Sequence, residues 1–225
     1  WCGIQDFKKY IYCSQILQAE GIRIGIESHR RNRPMCMGTL YWQLNDCWPG
    51  ISWSSRDYFN RWKALHYTVQ DAYSPLSISI YKNKNQTIEI HGISDLQKKI
   101  QDILEVKIYD VNGNLIFSDY KEIEINPNSS TILLSRKYNL EANQFIIASL
   151  RNKKIKSKIL FENKPKDIKF PNPMIEYSWE KNTITLKSSN GAFQVYLHNI
   201  DAHFSDNFFN LLPGEEKEIS VYAEN

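Results

Sequence analysis

The chain has 225 residues, 42% of them hydrophobic and 24% charged, with a formal net charge of +3. That balance suits a globular protein of one large or two small domains with a real core. The weak, dispersed positive charge excludes a nucleic-acid-binding footprint, and no apolar run approaches the ~20 residues of a membrane span.

The sequence opens Trp1-Cys2-Gly3-Ile4-Gln5-Asp6-Phe7, the run-up to a helix, with no positively charged leader or small-residue cleavage site. It therefore reads as a piece of a longer chain, with any targeting signal upstream. The four cysteines, Cys2, Cys13, Cys36 and Cys47, contain no C-x-x-C pair. Free, mostly buried thiols are expected rather than a zinc or redox motif.

From Asp6 to about Arg31, Phe7, Tyr10, Ile11, Leu17, Ile22 and Ile26 recur at a helical period, with Asp6 as N-cap and Gly21 as a break. Met35–Leu44 is a near-continuous apolar run after Arg33-Pro34, which predicts a strand covered on both faces, as in a parallel sheet or barrel. A second helix is expected with Trp62, Leu65, His66, Val69 and Tyr73 on one stripe. Helix, strand, loop and helix make the end of a β/α repeat, and about 70 residues cannot close a barrel of ~250.

Proline disfavours helix at the residue before it, so a boundary is expected at Ser74-Pro75. Residues 75–164 then read as strand and turn: Ser77–Tyr81, Thr87–His91, Leu104–Tyr109, Leu115–Phe117, Thr131–Leu134, Phe145–Leu150 and Ile155–Phe161. Asn112-Gly113-Asn114 signals a hairpin, and Arg151–Lys158 reads as a solvated turn. The strand count predicts an immunoglobulin-like sandwich. A proline-rich joint around Lys164-Pro165 and Phe170–Pro173 opens a smaller β-sandwich over 165–225, with strands Ile175–Trp179, Thr183–Lys187, Ala192–Leu197 and Glu218–Tyr222.

One stretch is more specific: Gly38–Pro49 with its core Tyr41-Trp42-Gln43-Leu44-Asn45-Asp46, then Ser52-Trp53-Ser54-Ser55-Arg56-Asp57-Tyr58, then Trp62-Lys63-Ala64-Leu65-His66-Tyr67. It resembles the eighth strand and closing helix of the (β/α)8 barrel in the β-mannosidases of glycoside hydrolase family 2. Gln18–Arg23 and His29–Pro34 resemble that family's seventh helix. Phe204–Glu215 resembles a motif of its terminal β-sandwich. The resemblance is dense over 15–70, diffuse over 76–165 and sharp again over 203–217. It implies a multidomain α/β plus all-β protein: residues 1–74 as the end of the catalytic barrel, followed by two immunoglobulin-like sandwiches.

Barrel chemistry sits at the carboxyl ends of the strands, where this chain carries Trp42, Asn45, Asp46 and Trp48. An indole face with amide and carboxylate groups around it suits a sugar ring, which has apolar C–H faces and hydroxyl edges. The resemblance implies that Trp42 floors the subsite of the reacting mannose, with Asn45, Asp46 and Trp48 as further substrate-binding candidates. Trp42 as barrel packing, and Asn45 or Asp46 as loop caps, are the competing readings. No catalytic residue is assigned. The family's two glutamates end strands four and seven, upstream of this chain, and Glu20 and Glu27 are expected on a solvated helix face.

The resemblance implies a retaining hydrolase of terminal β-linked mannose, with no metal and no cofactor, inactive as this chain alone. A β-galactosidase or β-glucuronidase is the alternative enzyme, disfavoured by Gln43-Leu44-Asn45-Asp46. For the sandwiches, bracing of the barrel ranks above carbohydrate binding. The expected partners are an oligosaccharide, the remainder of the same enzyme chain and a second copy in a homodimer, with no nucleic acid and no membrane.

Overall fold

The computed structural model describes residues 6–198 and 202–223. Helix α1 runs Phe7–Arg31, and the Asp6 carboxylate caps it by accepting from the Lys8 amide at 3.0 Å. Gly21 does not break it. A helical glycine costs only about 1 kcal/mol relative to alanine, and the buried stripe of Ile16, Ala19 and Ile26 holds α1 against α2 (Ala64–Ala72). Trp62 stands just before α2 rather than within it.

The expected strand Met35–Leu44 is absent. Residues 32–35 form turns, and the chain then runs irregularly to isolated bridges between Asn45, Arg56 and Trp62. The run is apolar enough for a doubly covered strand, but a strand exists only against a hydrogen-bonded neighbour. Met35, Leu40 and Trp42 are accordingly exposed.

Seven strands follow: β1 (Leu76–Lys82), β2 (Ile88–Ser94), β3 (Ile100–Asp110), β4 (Leu115–Ile125), β5 (Ser129–Arg136), β6 (Gln144–Leu150) and β7 (Lys158–Phe161). The antiparallel sheets β1-β2-β5 and β4-β3-β6-β7 form the two layers of a sandwich. Their alternation turns Ile78, Ile90, Leu104, Ile125 and Ile146 into a common core. β4 far outruns the expected Leu115–Phe117, because pairing with β3 carries its exposed middle on to Ile123 and Ile125, which reach the core.

The second β unit comprises β8 (Ile175–Glu180), β9 (Thr183–Ser188), β10 (Ala192–Val195), β11 (Ala202–Phe204), β12 (Phe209–Leu211) and β13 (Glu216–Ala223). Sheet β11-β13-β9-β8 faces the pair β10-β12 over Ile184, Leu186, Leu211 and Ile219. β11 and β12 have three residues each, too few to show alternation, and the strand expected to reach Leu197 stops at Val195.

Charge and aromatic contacts join these units. Glu27, expected on a solvated face, is 4% exposed and lies 3.0 Å from Arg23 and 3.1 Å from Lys158, with the Ser79 hydroxyl donating at 2.7 Å. Lys158 also pairs with Asp71 of α2. Within the basic run 151–158, residues 151–154 are exposed as expected, but this last lysine is buried. Burial alone would raise the Glu27 carboxyl; Lys158 and Arg23 outweigh it and bring it down to about 2. Farther along α1, Arg30 bonds the Ala72 carbonyl and Asp95, while Arg33 bonds the Ser94 carbonyl and Asp95.

On the opposite flank, Phe208 is buried against Tyr12 at 6.2 Å, Tyr67 at 6.4 Å and Tyr196 at 4.5 Å between ring centroids. Burial pushes the Tyr67 phenol up to about 12. Cys13 and Cys36 are half-buried and Cys47 is exposed, against the expectation of mostly buried thiols; Cys36 and Cys47 are free. Trp1 and Cys2 lie outside the described residues.

Two sets of outcomes are expected. Replacing Lys158 by Met removes the cation shared by the buried Glu27 and half-buried Asp71 carboxylates and should cost roughly 3–5 kcal/mol in urea denaturation at pH 7. Glu27 has a depressed folded-state pKa, so its stabilisation is complete above its ordinary value of 4.5 and is lost as pH falls towards 2. The stability gap between wild type and Glu27→Gln should therefore be wide at pH 6 and narrow at pH 3; a gap independent of pH would refute the assignment.

The second set concerns the uncovered faces of α1 (Phe7, Tyr10, Leu17) and of the 35–53 segment (Met35, Leu40, Ile51). Apolar exposure on this scale drives association. Light scattering of the isolated 225-residue chain should report species heavier than a monomer. A clean monomer with slowly exchanging amides over 35–44 would contradict this.

Candidate functional site

Two hydrogen-bonding hubs shape the segment from Tyr41 to Lys63. Ser55 is fully buried: its amide donates to the Gln43 carbonyl at 3.0 Å and its carbonyl accepts from the Lys63 amide at 3.0 Å. Its Oγ is 2.9 Å from the Leu44 carbonyl, 3.0 Å from Tyr41 Oη and 3.1 Å from His66 Nδ1. The other hub is Asp46. Ser52 donates to its two oxygens at 2.6 and 2.7 Å, Ser54 donates at 2.6 Å, and Lys63 Nζ stands at 3.6 Å. The Ser52 hydroxyl, then that of Ser54, holds the Asp46 carboxyl below the usual carboxylate range. Lys63 in turn donates to Ser54 at 2.8 Å.

The residues singled out by sequence separate into two kinds. Trp42 and Trp48 are each 73% exposed, and Asn45 is exposed in the turn that follows Trp42, its backbone bridged to Arg56. The Asp46 side chain is only 8% exposed and engaged by Ser52, Ser54 and Lys63. Trp53, 61% exposed, donates its indole N–H to Gln43 Oε1 at 3.4 Å, beside Trp42 in the chain, and Gln18 of α1 donates to its carbonyl at 2.7 Å. Trp62 is half-buried, its ring 4.5 Å from that of His66 and 4.7 Å from that of His203.

Exposed indole faces beside the Asn45 amide can stack on the C–H faces of a sugar and bond its hydroxyls. Among the described residues, no group of three His, Cys, Asp or Glu is arranged to hold a metal ion. A cleft of about 180 Å³ opens beside Thr39 and Tyr73, but its Arg30 and Arg33 are already bound to Asp95. Glu20 is held by Arg23, with Nε at 2.9 Å.

Sequence reasoning missed the Ser55 hub, the serine and lysine partners of Asp46, and the buried ion cluster. A signal for the cluster was present. Arg23, Glu27 and Arg30 recur at spacings of four and three, and Ile16 and Ala19 continue that stripe upstream, so charged residues occupied an apolar face.

Residues 86–167 match the Mannosidase Ig/CBM-like domain family, and residues 160–225 match the Ig-fold domain of the mannosidases. Beta-mannosidase A of Emericella nidulans is 25% identical over 99% of this chain, which covers 27% of that relative. The crystal structure of the beta-D-mannosidase from Dictyoglomus thermophilum superposes with a TM-score of 0.89 at 30% identity, over 98% of this chain and 28% of that one. An exo-chitosanase from Amycolatopsis orientalis shares the fold at 18% identity and a TM-score of 0.73, over 96% of this chain and 32% of that one. The chain thus spans about a quarter of the length of the mannosidases it matches. Two mannosidase-type immunoglobulin modules in tandem, behind a helical segment that superposes along with them, match this chain to the carboxy-terminal part of the β-mannosidases.

Proposed function

We propose that this chain works within a longer retaining β-mannosidase, which removes β-linked mannose from the non-reducing ends of oligosaccharides without a metal or organic cofactor. The observation that carries this reading is the likeness to the Dictyoglomus β-D-mannosidase along 98% of the chain. Residues 1–74 complete the catalytic (β/α)8 barrel as helix seven, strand eight and helix eight. Residues 75–164 and 165–225 are the sandwich domains that brace it. The exposed run around Met35–Leu44 supports this, since an apolar segment lacking a paired strand fits one that finds neighbours in the rest of a barrel.

Trp42 then floors the mannose subsite, and Trp48 and the Asn45 amide flank it. Asp46 serves the site by tethering the loop through Ser52, Ser54 and Lys63, because its carboxylate is already engaged. Retaining hydrolysis needs two carboxyl groups about 5–5.5 Å apart across the scissile bond. Glu20 and Glu27 are bound to arginine and lysine, so the catalytic pair is assigned to strands four and seven of the same barrel. The remaining enzyme chain is thus the principal partner of the exposed face, with a second copy as its competitor. The ion pairs of α1 with Lys158 of β7 and with Asp95 just after β2, and the hydrogen bond from Ser79 of β1 to Glu27, favour bracing as the role of the first sandwich.

The isolated 225-residue chain should leave p-nitrophenyl β-mannoside unhydrolysed, whereas the full-length enzyme should cleave it in preference to the β-galactoside and β-glucuronide. Turnover by the isolated chain, abolished by replacing one of its own carboxylates, would refute the division of labour. In the full-length enzyme, Trp42→Ala should lower kcat/KM on the order of 10²-fold through lost stacking and positioning, with folding retained. A folded variant of unchanged activity would remove Trp42 from the site.

A further inference from the structure

We infer that Ser55 is a positioning residue for the Trp42 platform, acting through the Tyr41 phenol on one side of that indole and the backbone on the other, and linking it to the carboxy-terminal sandwich. The inference rests on the role proposed above for Trp42. An indole that is 73% exposed is fixed little by packing of its own ring, so its orientation must come from the chain that carries it. Ser55 holds that chain at Tyr41, Gln43 and Leu44, one residue before the tryptophan and the two after it.

The hydroxyl's bonding capacity is fully used. A serine has one hydrogen to give and two lone pairs to fill. Donation to the Leu44 carbonyl leaves the lone pairs for Tyr41 O–H and for His66 Nδ1, so the tautomer that satisfies all three carries its hydrogen on Nδ1. Burial, then Arg56 and His203, holds the His66 imidazole below its ordinary pKa, which keeps it neutral. The His66 ring lies against Trp62, and Trp62 lies against His203 beside β13. A continuous series of contacts therefore runs from the second sandwich through Trp62, His66 and Ser55 to the backbone of Gln43 and Leu44, directly after Trp42. No side chain in that series needs to touch sugar.

The test is a double-mutant cycle in the full-length enzyme, with p-nitrophenyl β-mannoside as substrate and activity normalised to folded protein. Ser55→Ala should lower kcat/KM about 10- to 100-fold, the range expected for a displaced positioning group. Made in a Trp42→Ala background, the same change should cost less than twofold, because the group it positions is gone. If Ser55→Ala fails to fold, His66→Phe removes one of the hydroxyl's partners and should show the same dependence on Trp42. An effect of equal size in both backgrounds, or no effect on wild type, would overturn the inference. Failure of the functional reading looks different: wild type would leave the β-mannoside intact and cleave another aryl β-glycoside, on which the same cycle still decides the role of Ser55.

Discussion

A buried cluster of charge holds this molecule in register. Arg23 and Glu27 of α1, Asp71 of α2 and Lys158 of β7 bring two cations and two anions from three elements together in an apolar setting. Isolated, each would face a desolvation penalty of several kcal/mol, and together they are tolerable only at a single relative placement of helices and sheet. Apolar contacts slide at little cost, whereas this cluster cannot. The geometry downstream of it, including where α2 presents His66 to the Trp42 loop, follows from that docking.

The second sandwich is attached by different physics. Phe208 has φ +53, a left-handed conformation that is costly for a bulky residue, at about 1–3 kcal/mol. The loop imposes it through Asn207, whose Oδ1 accepts from the amides of Leu197 and Phe208 at 2.8 and 2.9 Å. That turn drives the Phe208 ring among Tyr12, Tyr67 and Tyr196, where its burial offsets the strain. The two motifs that stand out in the sequence, around Trp42–Tyr67 and Phe204–Glu215, thus meet in space. The second is read here as the fastening for the first.

Sequence made most of the sheet architecture legible because alternation survives wherever one face of a strand is buried, as in β3 and β9. It failed where pairing rather than composition decides: the largely exposed middle of β4 is held by its bonds to β3, and Met35–Leu44 is apolar yet lacks a strand to pair with. Glu27 and Lys158 were read as solvated because charge usually is. Their burial is a tertiary property, hinted at only by their neighbours on the α1 stripe. Trp42, Asn45 and Trp48 stand exposed on the loop that the sequence nominated, while the engagement of Asp46 required knowing where Ser52, Ser54 and Lys63 fall.

The turn between β3 and β4 has a different significance. Gly113 adopts φ +92, and a β-carbon there would stand 2.7 Å from the Pro213 ring of the second sandwich. Hairpin tips are ordinarily where evolution inserts residues freely. Here the tip abuts the Pro213 turn between β12 and β13, at the other end of β12 from the loop whose Phe208 fastens onto the helices and whose Asp206 pairs with Lys156 and Lys217. A lengthened hairpin would push that turn, and the short strand β12 leading into it, away from the first sandwich. The spacing of the two sandwiches is therefore frozen by an element that looks, in isolation, like the most dispensable part of the chain.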